Sequence, residues 1–350
     1  MRIVHVICSA AFAGVERHVA RLAGAQRAEG DDVVVVGGAP AAMPTALGDG
    51  VRHLPAATVR DARAHLRAWA PSADLVHVHM TAAEVAATWA ALRGPVSGRF
   101  PPVVSTRHFA RTRGSGATKL VTAAAARRRV AAQISISQYV ADHVDGPSTV
   151  VHPGVEDRED GLDAAHRERT VLMVQRLEAE KGTDVGIEVF ARSGLSAHGW
   201  RLVIAGDGAE RSRLEQLAAR TGAGPAVDFL GMRDDTAALM ARAGLLLAPC
   251  EVEGLGLSVL EAMAAGLPVL AAASGGHLET LAGLDAQALY PATAGDVPGG
   301  IAAAATRLAA LAADAPRRDS YARRAQESQR LRFTPSAQAR HTRAVYEEVL

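Results

Sequence analysis

The sequence predicts an α/β protein built from two doubly wound domains. Three observations carry this expectation. Short runs rich in Val, Ile and Leu alternate with alanine-rich stretches along the whole chain, those runs are continuous rather than alternating in polarity, and 350 residues exceed one ordinary hydrophobic core. Strands that are apolar on both faces belong in parallel sheets covered by helices on each side. With 49% hydrophobic against 21% charged residues, the chain has apolar surface enough for two cores and is neither disordered nor fibrous.

Taken in order, the expected strands of the first half are "RIVHVIC", "DVVVVGG", "DLVHVHM", "PPVVST", "AAQISIS" and "STVVHP". The second half repeats the plan with "TVLMVQR", "WRLVIAG", "VDFLG", "LLLAPC" and "LPVLAAA". Residues 156–169, "EDREDGLDAAHRER", are dense in charge and poor in large apolar side chains, which predicts a solvated connection. The expected domains are therefore 1–155 and 169–332, joined by a linker over 156–168. The tail "FTPSAQARHTRAVYEEVL" offers Thr334 as an N-cap, Pro335 after it and a periodic apolar face. It reads as a terminal helix over 333–350 that packs on either domain, the first included.

The net charge of +1 conceals an asymmetry, because residues 1–155 carry +7 and residues 156–350 carry −6. A first domain of positive sign suits an anionic partner. Its charge is densest at 107–129, with Arg107, Arg111, Arg113, Lys119, Arg127, Arg128 and Arg129. That segment suits peripheral contact with the inner face of an anionic membrane, or a solvated helix facing an anionic acceptor. Cys8 and Cys250 form neither a CxxC nor a zinc spacing, so a reduced cytoplasm is the expected setting. The opening "MRIVHVICSAAFAG" has one basic residue and an apolar run broken by His5, so export is not expected. No uninterrupted apolar stretch approaches the roughly 18 residues of a membrane span. Nucleic acid is not an expected partner.

In open α/β sheets ligands gather beyond the carboxyl ends of the strands, which directs attention to the residues there. "CSAAFAGVERHV" is a strand, a small-residue loop and a helix whose first amides, near Gly14, can bind an anion. "AGDGAERSRL" has a GxG at Gly206 and Gly208 but no third glycine, and "GSGATK" at 114–119 lacks the spacing of a phosphate loop. The missing fingerprint argues against a nicotinamide enzyme. "HVH" places His77 and His79 on one face of a strand, a zinc-like spacing without further ligands nearby in sequence. His108 closes the next strand, where an imidazole can hydrogen-bond a sugar or a phosphate.

Only Lys119 and Lys181 break the preference for arginine among 38 basic residues. A lysine at 181 marks a place that wants a compact point charge. With Arg176 five residues earlier, it makes a two-cation clamp suited to a diphosphate. The stretch "CEVEGLGLSVLEAMAAGLPV" then raises a question of its own, since a helix apolar nearly all round carries Glu261. A buried carboxylate demands hydrogen-bond donors, either protein or ligand. Glu253 and the amides of Gly254, Leu255, Gly256 and Leu257 precede it at the helix start, and eight residues of helix span about 12 Å. That is the scale of a nucleotide sugar.

Together with the following "GGHLE", this stretch resembles the E-x7-E signature of retaining glycosyltransferases with the GT-B fold, family 4. The resemblance extends through "AGVERHV", "DLVHVH", "STRHF", "VVHPGVE", "QRLEAEKG", "IAGDGAER" and "VDFLGMRDD". It implies two Rossmann-like domains facing across a cleft, the first binding acceptor and the second nucleotide sugar. It also implies that Glu253 contacts the donor sugar, Glu261 the ribose hydroxyls, Arg176 and Lys181 the leaving diphosphate, and that His108 lies by the reacting carbon. The donor-binding set is then Gly14, Arg176, Lys181, Gly206, Gly208 and Met232, with Gly254, Leu255, Gly256, Leu257 and Glu261. No metal and no resident cofactor are implied, a UDP- or GDP-sugar being the substrate. Ala13, Gln175, Leu255 and Cys250 depart from the usual glycine, glycine, phenylalanine and serine of the pattern. The expected reaction is front-face transfer to an acceptor hydroxyl or amine. A nucleotide-sugar epimerase and a silent binding protein are the rivals.

Overall fold

A computed structural model of the chain describes residues 1–92, 100–113, 124–158, 163–292 and 299–350. It comprises two compact units, Met1–Gly154 with Phe333–Leu350, and Val155–Arg332.

The first unit is a parallel sheet of seven strands in the order β3-β2-β1-β4-β5-β6-β7. These are β1 (Arg2–Ile7), β2 (Asp32–Val36), β3 (Arg52–Leu54), β4 (Leu75–His79), β5 (Val103–Arg107), β6 (Val130–Ser135) and β7 (Thr149–Val150). In β1 every residue after Arg2 is buried, and in β4 all five are, as expected of a sheet covered on both faces. Alternation divides the side chains between those faces. Val4, Val6, Val34, Val76 and Val78 meet Leu66, Ala83 and Ala86 on one side. Ile3, Leu75, Val104 and Ile134 meet Val345 and Tyr346 on the other, so the helix Pro335–Glu347 completes this core. Thr334 caps that helix by accepting from the Ala337 amide, and Pro335 supplies the preset first turn. Each such aliphatic side chain contributes about 1.5–3 kcal/mol by leaving water. His5, His77 and His79 share the second face by the same alternation, with His5 opposite His77 in the register of β1 and β4.

The second unit is a parallel sheet of six strands in the order β10-β9-β8-β11-β12-β13. They are β8 (Thr170–Val174), β9 (Arg201–Ala205), β10 (Val227–Gly231), β11 (Leu245–Ala248), β12 (Val269–Ala272) and β13 (Leu289–Tyr290). The order reverses between β8 and β11, which opens a crevice at their carboxyl ends. The stretch read from sequence as a solvated linker belongs to this unit. Arg167 is buried, and its guanidinium donates to the carbonyls of Met240, Ala241, Ala243, Ala265 and Gly266. A charged residue marks a solvated segment only when its hydrogen bonds go to water.

The basic segment is also less available than its composition suggests. Arg107 and Arg113 are buried, and Arg113 pairs with Glu84 at 2.6 Å and Asp145 at 2.6 Å. Their charges are spent inside the unit. Lys119 lies outside the described residues, while Arg127 and Arg128 are exposed. Among the described residues no helix is long and apolar enough to cross a membrane.

Candidate active site

In the second unit the loops that follow β8 and β11 hold most of the residues singled out from the sequence. Lys181 Nζ donates to Glu253 Oε2 at 2.7 Å, with both side chains largely shielded. Burial opposes charge on each, but the pairing outweighs it. It holds the Lys181 ammonium above its usual range and the Glu253 carboxyl below its own. Arg176 is exposed and pairs instead with Glu180 at 3.2 Å. The two expected clamp cations thus share a loop but hold different carboxylates.

Two residues that the sequence flagged only as departures build this loop. Gln175 Nε2 donates to the Lys181 carbonyl at 3.1 Å and to Thr183 Oγ1 at 2.8 Å. Cys250 Sγ donates to the Glu180 carbonyl at 3.4 Å, and burial first, then Glu253, pushes its thiol up to about 11. It is therefore a structural thiol. Gly206 and Gly208 back onto the same loop. A Cβ on Gly206, at φ 147°, would stand 1.8 Å from the Gln175 carbonyl oxygen. The Gly208 amide already donates to Asp207 Oδ1 at 2.8 Å. Their visible role is to let the backbone pass close behind Arg176.

The glutamate loop is strapped in a similar way. Gly276 N donates to the Glu253 carbonyl at 2.9 Å, and a Cβ on Gly276 would lie 2.3 Å from the Leu255 Cα. The helix Leu257–Ala264 starts after Gly256. Leu255 is buried, Gly254 and Leu257 half-buried, and Met232, after β10, exposed. Glu261 is buried within the helix and is not without partners. His277, quoted in the sequence motif but assigned no role there, is buried and hydrogen-bonded through Nδ1 to the Ala272 carbonyl at 3.2 Å. Burial lowers its pKa, against a raising field from Glu253.

In the first unit Gly14 opens the helix Gly14–Ala28 and is exposed. The Glu16 carboxylate accepts from the Ala13 amide at 2.9 Å, so this helix start carries its own anion. His108 is buried after β5, and burial first, then Arg107, lowers its pKa to about 3. It belongs to a cluster with His5, His18, His77 and His79. Sequence reading found the HVH pair. It missed His5 and His18, whose strand and helix bring them to the pair only on folding. Met80, next to His79, is the one non-glycine residue with left-handed backbone among the described residues, at φ 71°. A cavity of about 580 Å³ lies elsewhere, lined by Arg167, Trp200 and Arg318 and by none of the predicted site residues.

Comparison with known proteins places this geometry in context. The family described as Glycosyl transferases group 1 matches residues 156–328, and that described as Glycosyltransferase Family 4 matches residues 12–159. The chain belongs to the group 1, family 4 glycosyltransferases. Among relatives, the lipopolysaccharide core biosynthesis mannosyltransferase LpsB of Rhizobium meliloti is 28% identical over 64% of this chain and 67% of its own. The 2-deoxystreptamine N-acetyl-D-glucosaminyltransferase of Streptomyces fradiae is 30% identical over 69% of this chain and 63% of its own. The matches span between 11% and 67% of the curated relatives' lengths. HepE of Anabaena, solved with UDP and glucose, superposes with a TM-score of 0.77 at 20% identity, over 99% of this chain and 100% of that one.

This family 4 glycosyltransferase has the GT-B class of fold, two Rossmann-like α/β units with parallel sheets. Against the family pattern, Gln175 and Cys250 are substitutions in the support of the Lys181 loop.

Proposed function

We propose that the chain is a retaining glycosyltransferase that moves a sugar from a UDP- or GDP-sugar to a hydroxyl or amine. The Lys181–Glu253 pair at the switch point between β8 and β11 carries this reading. An ammonium has three N–H donors, and pairing with Glu253 keeps it charged and aimed while donors remain for diphosphate oxygens. As the sugar leaves, negative charge grows on those oxygens, and a fixed cation in a shielded site stabilises it most at that moment. Arg176 is the mobile second cation, released from Glu180 when phosphate arrives. The pair would stand in for a divalent metal.

Glu253 is assigned to the donor sugar, and Glu261 to the ribose. Gly14, Gly206, Gly208, Met232, Gly254, Leu255, Gly256 and Leu257 frame the nucleotide, while His108 is assigned to the reacting carbon. No side chain among these is an evident nucleophile for the opposite sugar face, which favours front-face attack. The leaving phosphate then takes the acceptor's proton. The Streptomyces fradiae relative is named for 2-deoxystreptamine, which supports a small polyhydroxylated amine as one acceptor class; glycans and lipids are the others. An epimerase draws no support from the family.

The test is a panel of nucleotide sugars, with binding read by thermal shift and turnover by release of nucleoside diphosphate. Release that depends on acceptor, survives chelator and gives a product of unchanged anomeric configuration is expected. Turnover without acceptor, or loss of activity on chelation, would refute it.

A further inference from the structure

A chain of hydrogen bonds runs through the core of the first unit and ends at His108. It begins at Gln26, whose Oε1 lies 2.7 Å from His5 Nε2. His5 Nδ1 is 3.1 Å from His79 Nε2, and His79 Nδ1 is 3.1 Å from His108 Nε2. All four side chains are buried. On its other side Gln26 Nε2 is 3.2 Å from the Tyr346 hydroxyl, which is 2.6 Å from His77 Nδ1. His77 Nε2 then meets Thr106 Oγ1 at 2.7 Å.

A neutral imidazole has one N–H and one lone pair, so each ring passes on the direction of the bond it receives. A carbonyl oxygen only accepts, which puts the His5 proton on Nε2 and its lone pair on Nδ1. His79 must then carry its proton on Nε2, and so must His108. Reversing the Gln26 amide would reverse all three rings together. The distances on the Tyr346 side choose between the two polarities. Hydroxyl donors make shorter bonds than amide donors, so the 2.6 Å contact is Tyr346 O–H donating to His77 and the 3.2 Å contact is the Gln26 amide donating to Tyr346. That leaves the Gln26 carbonyl on His5.

His108 Nδ1 has no protein hydrogen bond among the described residues and is not among the buried unpartnered atoms, so it reaches solvent. We propose that Gln26, acting through His5 and His79, is a positioning residue that fixes His108 with a bare lone pair at Nδ1, and so makes it an acceptor for a sugar or acceptor hydroxyl and not a donor to phosphate. The proposal rests on the assignment of His108 to the reacting carbon. The rings also stand close enough to suggest a metal, the nitrogens of His18, His79 and His108 lying within 4.8 Å of one another. The hydrogen bonds argue otherwise. Gln338 Oε1 accepts from the Gly154 amide, so its NH2 faces His18 Nε2 and the His18 proton sits on Nδ1, a buried atom with no hydrogen-bond partner among the described residues. A metal would have to displace protons that this network specifies.

The test is the long-range proton–nitrogen correlation spectrum of the full chain labelled with 15N-histidine at neutral pH. His108 is assigned from the signal lost in His108→Asn. His5, His79 and His108 should each show a bare Nδ1 and a protonated Nε2. A proton on His108 Nδ1, an imidazolium, or a stoichiometric metal ion bound to these rings would overturn the proposal. Gln26→Met removes the acceptor at the head of the chain at nearly constant volume and should move the His108 Nδ1 signal toward the protonated position. Gln338→Met deletes hydrogen bonds in the same core, to Gly154 and His18, but leaves Gln26 and Tyr346 in place with the Gln26 carbonyl on His5, and should leave His108 unchanged. An unmoved signal in Gln26→Met, or an equal move in Gln338→Met, would also refute the relay. Sugar transfer by Gln26→Met should fall about tenfold, the worth of one hydrogen bond. If the tautomer shifts while transfer stays unchanged, the relay stands and the assignment of His108 to the reacting carbon falls.

Discussion

Lys181 Nζ lies 2.7 Å from Glu253 Oε2, joining the loop after β8 to the loop after β11 where the strand order of the second unit reverses. Lys181→Ala should lower turnover about 100-fold or more, as loss of one preorganised charge-stabilising donor does elsewhere. Lys181→Arg should recover little of it, since a planar fork does not fit the place of a compact ammonium. Initial rates of nucleoside diphosphate release check both. A rate near that of the unaltered chain in Lys181→Ala would remove the central element of the proposed mechanism.

Gln175 holds the Lys181 loop through two hydrogen bonds, so Gln175→Gly, which restores the residue usual in the family, should loosen it. The expected cost is about 1–2 kcal/mol of stability, together with a fall in kcat that exceeds any change in donor KM. Denaturant unfolding beside steady-state kinetics would show it. An improved enzyme would mean that Gln175 acts on the donor and not on the loop.

Gly206→Ala should be far more damaging than its position outside the chemistry suggests. The added methyl group would occupy the space of the Gln175 carbonyl oxygen, at a φ that L-residues rarely adopt. A loss of more than about 2 kcal/mol is expected, with weaker donor binding as Arg176 is displaced. Thermal unfolding with and without nucleotide diphosphate separates the two effects. Gly30→Ala, where a Cβ meets nothing within 4 Å, is the control for left-handed backbone alone.

These predictions mark what was and was not legible in the sequence. Runs such as "RIVHVI" and "TVLMV" announce buried parallel strands because both faces must be apolar, and observed β1 and β8 follow them closely. Glu261 was legible because a carboxylate in an apolar helix is costly unless something donates to it, Lys181 because this chain otherwise prefers arginine, and Glu253 because it precedes the start of that helix. The partner of Lys181 was not, since a loop's local sequence does not specify what it meets 72 residues away. Arg113 and Arg167 mislead for the same reason. Composition reads them as solvent-facing, whereas carboxylates and carbonyls distant in sequence take up their donors. The histidine cluster needs β1, β4, β5 and a helix to be adjacent before it exists at all.

That cluster makes the first unit acid-sensitive. Burial, then hydrogen bonding to Gln26 and the charge of Asp31, leave His5 with a pKa of about 4. His108 is at about 3, and His18, His77 and His79 are lowered well below the ordinary 6.5, burial being the largest cause for each. In the unfolded chain all five bind protons near 6.5. Between that value and about 4 the unfolded state therefore holds more protons than the folded one, so stability is fully present above 6.5 and is lost as pH falls. Each unit of pH below 6.5 costs about 1.4 kcal/mol for every histidine that stays neutral. Hydrogen exchange should accordingly show protection of β1, β4 and β5 collapsing between pH 6.5 and 5, while β8, β9 and β11 lose much less. Among the described residues of the second unit, only His277 is a histidine both buried and shifted this way. Equal loss of protection in the two sheets would mean that these imidazoles are not held neutral by the fold.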